Sequence, residues 1–167
     1  PGSHEHLLRD VLGVMGITQG AEGEGVHQGR PAVVDLLERR LVALDAATGK
    51  KIWSINLMQK FGGRNPYWGY SESPLIVGDR ILVNAGGPRA SIVAIAKADG
   101  ATLWQNHGDE AGYSSPMLMR TGSLNQVIFF TGSRTLAVDP RDGRLLWSYN
   151  KAGNGTANVA TPIVRGT

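Results

Sequence analysis

The sequence predicts an all-β chain: a partial β-propeller of four-stranded blades, two complete and two partial, preceded by a poorly matching N-terminal segment. Three observations carry this. The stretch Val42–Trp53 (VALDAATGKKIW) returns as Val93–Trp104 (VAIAKADGATLW) and again as Leu136–Trp147 (LAVDPRDGRLLW), 51 and 43 residues apart. A second mark, Ser-Pro or Thr-Pro, stands at Ser73-Pro74, Ser115-Pro116 and Thr161-Pro162. Between these marks run short apolar segments separated by glycine turns. Four short strands per unit at this period are the pattern of propeller blades.

Each repeated unit reads as a strand, a turn closing on glycine, and a strand closing on tryptophan. In the first copy Val42, Leu44 and Ile52 are apolar with small or polar residues between, the alternation of a half-buried strand. Gly49, Gly100 and Gly143 occupy the turns, where glycine tolerates positive φ and a neighbouring Asp or Thr can bond the turn's own amides. Trp53, Trp104 and Trp147 each lie four residues past that glycine. A large flat side chain at one place in every repeat suits packing between neighbouring units, so all three are expected to be buried between blades. The competing reading, an exposed aromatic platform for a ligand, fits a once-only position better than a recurrent one.

The blades are expected at about residues 41–58 (partial), 73–107, 115–150 and 161–167 (partial). Proline after Ser or Thr suits the first residue of a strand, where no ladder donor is needed. Residues 1–40 do not fit the repeat. Leu7–Met15 has apolar residues near helical spacing, and Ile17–Gly29 reads as loop. Pro31–Leu41 (PAVVDLLERRL) also looks helical, with proline in a first turn and a Val-Leu stripe. Yet a blade beginning at Leu41 needs two strands just before it. An inserted helix, a distorted pair of strands and a local frameshift are all open for this segment. Two full blades fall short of the four to eight that close a propeller. The end blades should expose strand edges, so the chain is expected either to be part of a longer one, completed by its remaining blades, or to self-associate.

Composition narrows the chemistry. The chain has 167 residues and no cysteine, which excludes disulfides, thiolate metal sites and cysteine nucleophiles. Formal net charge is +3 with scattered basic residues, so no nucleic-acid partner is expected. No run of 18 apolar residues predicts a membrane span, and PGSHEHLL lacks the basic and apolar regions of a signal peptide. His4, His6, His27 and His107 do not assemble a zinc pattern and are read as solvent-exposed. The Gly-Gly pairs at Gly62 and Gly86 lack the strand–helix setting of a phosphate loop, and no Gly-x-Ser-x-Gly elbow is present. Asp109-Glu110 is read as a solvated loop pair. No catalytic or metal residue is assigned.

The repeat, as Leu41–Trp53, Ile92–Trp104 and Thr135–Trp147, resembles the pyrroloquinoline-quinone-like (PQQ-like) β-propeller repeat. Ala96 departs from the pattern where the other copies have Asp45 and Asp139. GYSESPL (Gly69–Leu75) and GYSSPM (Gly112–Met117) are similar to bacterial PQQ-binding-like repeat proteins found in large exported or membrane-attached chains. The resemblance covers about residues 41–167. It implies a periplasmic or otherwise exported bacterial protein and two function classes. One is a non-enzymatic scaffold that binds a protein or polymer partner, as in the outer-membrane protein assembly lipoprotein, with no cofactor. The other is a fragment of a quinone-dependent alcohol or sugar dehydrogenase, which would require PQQ and Ca²⁺. Fold alone does not choose between them. Many such dehydrogenases set a disulfide of adjacent cysteines against the quinone, and this chain has none. Glu72, Asn84, Asp109 and Glu110 are available, but no motif assembles them into a site of six to eight oxygens.

One stretch stands out for binding. Arg64, Asn65, Tyr67, Trp68, Tyr70 and Glu72 lie in one inter-blade connection, the densest aromatic and polar cluster in the chain. Exposed Tyr, Trp and Arg are enriched in binding hot spots, and loops carry function more often than strands. The bland alternative is a loop that plugs the propeller face.

Overall fold

The computed structural model describes residues 32–35 and 40–165. They form three antiparallel sheets, read here as blades. Blade 1 has the strands β1 (Ala32–Asp35), β2 (Arg40–Leu44) and β3 (Lys51–Asn56). A short helix, α1 (Leu57–Phe61), follows. Blade 2 comprises β4 (Leu75–Val77), β5 (Arg80–Gly87), β6 (Ala90–Ala96) and β7 (Thr102–Asn106). Blade 3 comprises β8 (Met117–Thr121), β9 (Leu124–Phe130), β10 (Thr135–Val138) and β11 (Leu145–Tyr149). Residues 161–165 are not in a strand.

Of the alternatives left open before the first repeat, Ala32–Asp35 is a strand: its backbone pairs antiparallel with Arg40–Ala43. Val33 and Val34 favour that state, and pairing with a neighbouring strand overrides the helical spacing. The connection after blade 1 opens with helix rather than loop. Asn56 caps it by accepting from the Gln59 N–H, and Gly62 ends it at φ +70°. The helical reading of Leu7–Met15 and the loop at Ile17–Gly29 lie outside the described residues.

The middle blade shows how the core is built. Alternate residues of β5 and β6 point to opposite faces. Ile81, Val83, Val93 and Ile95 pack with Leu41, Leu57 and Phe61 against blade 1. Leu82, Ile92 and Ala94 pack with Val127, Phe129, Leu136 and Val138 against blade 3. Both faces are dry, so the strands read as continuous apolar runs. The outermost strand β7 alternates between half-buried and exposed.

The repeated turn is one six-residue design used three times. The Gly49, Gly100 and Gly143 N–H groups donate back to the carbonyls of Asp45, Ala96 and Asp139 at 2.8, 3.0 and 2.9 Å. All three glycines have φ near +70°, where a Cβ would be strained. Asp45 Oδ1 accepts from the Ala47 and Thr48 amides, and Asp139 Oδ1 accepts from that of Arg141. The copy with Ala96 lacks that acceptor and keeps the bond all three turns share, in which Thr48, Asp99 or Asp142 accepts from the amide of Lys50, Ala101 or Arg144.

Each unit also carries a β-bulge at one place. Pairing slips after Ala43, Ala94 and Ala137, leaving Ile52, Leu103 and Leu146 without a partner in the register. The bulge falls one residue before each tryptophan. A bulge bends its strand and re-aims the next side chain. Trp53 and Trp104 are thereby brought across to the following blade. The Trp53 indole N–H donates to the Lys97 carbonyl at 3.1 Å, and the Trp104 N–H to the Pro140 carbonyl at 3.1 Å. Their rings lie on Gly100 and Gly143, where an added Cβ would come within 3.0 and 2.5 Å of the ring. Further bonds join the same seams: Lys60 Nζ to the Gly100 carbonyl, Asn106 Nδ2 to that of Asp142, and Arg80 to those of Pro140 and Arg141.

Two expectations are corrected. Trp147 is 40% exposed, not buried, because no described blade follows it; its N–H donates to Gln126 of its own blade at 2.7 Å. His107 is half-buried rather than free in solvent, its Nε2 lying 3.0 Å from the Gly143 carbonyl. A carbonyl only accepts, so that nitrogen carries the proton.

Asp139 shows what the turn contributes electrostatically. It is 1% exposed, and Arg141 grips it in two bonds, Nε to Oδ1 at 3.0 Å and Nη2 to Oδ2 at 2.7 Å. Chiefly through that guanidinium, its carboxyl titrates down at about 2. A depressed folded value stabilises the fold above the unfolded carboxylate range, near 4. That stability is lost as pH falls through about 2. Acid titration of melting temperature should therefore show a loss between about pH 4 and 2 that Asp139→Asn flattens. An unchanged slope in the variant would remove the turn from the acid response.

Candidate functional site

Two inter-blade connections and the segment that leaves blade 3 converge on a cleft of about 430 Å³. The first, after α1, supplies Arg64, Asn65 and Tyr67; the second supplies Glu110 and Tyr113; the third supplies Asn154, Thr156 and Asn158. Ala111 and Gly132 also line it. Arg64 and Glu110 place opposite charges on a rim of amides, hydroxyls and two tyrosines. Such a set can hold a ligand by mixed polar and aromatic contacts.

Each wall has a physical anchor. The first connection is pinned by Tyr70, whose hydroxyl donates to the Ala85 carbonyl at 2.7 Å. Gly63 passes so close to that carbonyl that a Cβ would sit 2.0 Å from its oxygen. The second is pinned by a bidentate ion pair: Arg134 Nε to Asp109 Oδ1 at 2.9 Å and Nη2 to Oδ2 at 3.1 Å. The Asp109 side chain is 9% exposed, so it is not the solvated residue the sequence suggested. Gly132 N–H adds a bond to the Glu110 carbonyl. The third is anchored by Asn158, which is buried and donates through Nδ2 to the carbonyls of Thr131 (2.8 Å) and Gly132 (3.0 Å). Its Oδ1 accepts from the Asn154 amide, and Asn154 Oδ1 accepts from Thr156 and Ala157. These bonds close residues 154–158 on themselves.

The six residues predicted as a surface divide. Arg64, Asn65 and Tyr67 line the cleft, and Tyr67 is 88% exposed. Trp68 is 61% exposed and stands behind it, its ring 5.0 Å from Tyr67 and 5.6 Å from Tyr113, and its backbone N–H donates to the Tyr113 hydroxyl. Tyr70 and Glu72 are not surface residues; both are buried. Alternation turns them inward, where they hold the loop. Sequence reasoning missed Tyr113, Asn154 and Asn158. The recurrence of Gly-Tyr-Ser in the second connection was the available signal for Tyr113. Asn158 carried none, because its role depends on two carbonyls 26 and 27 residues away.

Glu72 is the incompletely bonded member. Its Oε1 accepts from the Asn84 amide at 2.5 Å, while Oε2 and the Asn84 Oδ1 are buried without a partner. Burial pushes its carboxyl well above the ordinary range. A raised folded value means that ionisation opposes folding, so stability falls as pH rises above the unfolded carboxylate range. Glu72→Gln keeps an acceptor for Asn84 and cannot ionise. It should leave acid stability unchanged and raise stability increasingly above about pH 5. Equal melting temperatures of both proteins from pH 5 to 9 would show that Glu72 carries no such penalty.

The four residues that the resemblance offered as ligands do not gather at one place. Of the four candidate ligands, Glu72 and Asn84 meet in the core, Asp109 is committed to Arg134, and Glu110 lies in the cleft. Calcium takes six to eight oxygens. Among the described residues no three acidic or histidine side chains gather to hold a metal, and no helix is long and apolar enough to cross a membrane.

Comparison with known proteins places this architecture. The profile of the family described as outer membrane protein assembly factor BamB matches residues 9–167, reaching well before the repeats. A quinoprotein ethanol dehydrogenase of Pseudomonas aeruginosa is 29% identical over 77% of this chain and 23% of its own. BamB from Moraxella catarrhalis superposes with a TM-score of 0.50 at 21% identity, covering 72% of this chain and 32% of that one. The computationally designed Ika4 protein superposes with a TM-score of 0.50 at 10% identity, covering 90% of this chain and 85% of that one. The structural likenesses show the fold alone. The chain spans about a quarter to a third of the length of the two natural relatives.

Proposed function

The chain belongs to the PQQ-like repeat family described as outer membrane protein assembly factor BamB, and we propose that it is a non-enzymatic propeller scaffold, part of a larger exported bacterial protein, whose cleft binds a protein or polymer partner. One observation carries this reading. Three separately anchored connections present Arg64 and Tyr67, Glu110 and Tyr113, and Asn154 around one opening, with Tyr67 88% exposed. Rigid walls with an exposed aromatic and both signs of charge suit an extended peptide, because large contacts form at low entropy cost. The BamB description favours protein partners from outer-membrane assembly.

Fluorescence anisotropy with extended peptides taken from outer-membrane barrel strands tests it. Tyr67→Ala and Arg64→Ala should each weaken binding about tenfold and leave the melting temperature within a few degrees. Leu124→Ala, on a distant hairpin, should not change binding. Peptides that fail to bind, or bind all variants alike, would sink the cleft as the site.

Likeness to the quinoprotein ethanol dehydrogenase supports a second reading, a fragment of a quinone-dependent alcohol or sugar dehydrogenase. Adding PQQ, Ca²⁺, an alcohol or sugar and an acceptor dye addresses it. Protein-dependent dye reduction would reverse the ranking.

A further inference from the structure

Resting on the reading of the cleft as a peptide site, we propose that the segment it holds carries charges of both signs on one face. An acidic side chain of the segment pairs with Arg64, and a basic one, two or four residues away, pairs with Glu110. These two are the one cation and the one anion that line the cleft. Among the described residues neither side chain has a hydrogen bond or an ion pair. Asp109, the neighbour of Glu110, is taken by Arg134, and Asp79 and Asp139 are taken by Arg80 and Arg141. The cleft pair is left open where those acids are not.

Both side chains are exposed, yet their backbones are fixed. The Arg64 carbonyl accepts from the Tyr70 hydroxyl at 3.3 Å, and the Glu110 carbonyl accepts from the Gly132 N–H at 2.8 Å. The two charges therefore start from different walls, on backbone that does not drift, and do not neutralise each other. Tyr67 and Tyr113 line the same cleft. The Tyr113 hydroxyl accepts from the Trp68 N–H, which leaves its own O–H free to donate to a peptide carbonyl.

Charge balance then selects the ligand. A segment entering the cleft strips water from both groups. A segment with one charge satisfies one of them and leaves the other partly desolvated without a partner, which costs free energy. A segment with both signs pairs with both and adds no net charge. Alternate side chains of an extended peptide share a face. An acid and a base at i and i+2, or i and i+4, therefore turn to the cleft together, while adjacent ones point apart. A neutral oligosaccharide would meet the same rings and amides and gain nothing from either charge.

Fluorescence anisotropy of the whole chain with one peptide framework in four versions decides this: acid and base, acid alone, base alone, and neither. The charged pair is placed at both spacings and in both orders along the peptide. The doubly charged peptide should bind tightest. Removing either charge should weaken it about fivefold, the upper range for an exposed ion pair, and added salt should shrink that difference. Arg64→Ala should erase the benefit of the peptide's acid and keep that of its base, and Glu110→Gln should do the converse. Arg64→Glu should turn the preference to a peptide with two basic residues. Melting temperatures should stay within a few degrees, because neither side chain holds a folded contact. Peptides that bind with equal affinity whatever their charge, or losses that simply add in both cycles, would overturn the charge pairing and leave the cleft as the site. Failure of every peptide, with or without binding of a neutral oligosaccharide, would overturn the peptide reading and the pairing together.

Discussion

Trp104→Ala should lower unfolding stability by about 3 kcal/mol, the low end for removing a packed tryptophan because the ring is only half-buried. The ring covers Gly143 and packs with Leu82, Ala94 and Val138 in the seam between blades 2 and 3. Its N–H satisfies the Pro140 carbonyl, which Arg80 shares. Truncation leaves a cavity lined by both blades, and the turn loses its cover. Trp147→Ala, 40% exposed with no described blade packed over it, should cost well under half as much. Trp68→Ala, 61% exposed, should also cost less and act on binding instead. Chemical denaturation of the three variants gives the comparison. A Trp68 or Trp147 loss equal to that of Trp104 would show that the seam is the wrong guide to stability.

Gly63→Ala should cost about 2–3 kcal/mol. The new methyl would stand 2.0 Å from the Ala85 carbonyl oxygen and 2.6 Å from the Tyr70 hydroxyl. Neither can yield cheaply, because the carbonyl belongs to β5 and accepts the Tyr70 hydrogen bond. The connection must lift, breaking that bond and carrying Arg64 and Tyr67 away from the opposite wall. Stability and peptide affinity should therefore fall together. Gly155→Ala, where nothing lies within 4 Å, should change stability by no more than about 0.5 kcal/mol. A Gly63→Ala protein with wild-type melting temperature would mean the loop is not held by this contact.

The repeat was legible because its chemistry is local. A turn that needs positive φ demands glycine at Gly49, Gly100 and Gly143 whatever surrounds it. Alternation then marks the strands on either side. The recurrence of Trp53, Trp104 and Trp147 pointed to a seam, and the first two make one. The cleft was half legible: Arg64, Asn65 and Tyr67 stood out by residue type. Tyr70 and Glu72 looked the same in sequence, but their neighbours turn them inward.

What the sequence by itself determined is therefore the unit: strand, glycine turn, strand and tryptophan, an all-β chain, and the connection that carries exposed aromatics. Those features follow from backbone conformation and period, which each residue expresses within a few positions of itself. Only the tertiary structure decided the rest. It showed that a bulge before Trp53 and before Trp104 aims each ring at the next blade, that Trp147 faces solvent, and that Ala32–Asp35 is a strand. It also showed that Asp109 and Asn158 anchor the cleft. The strand Ala32–Asp35 pairs with Arg40–Ala43, only a short way along the chain; the tryptophans and the cleft anchors depend on partners about 20 to 45 residues away, whose approach is fixed by blade packing and by nothing in the local sequence.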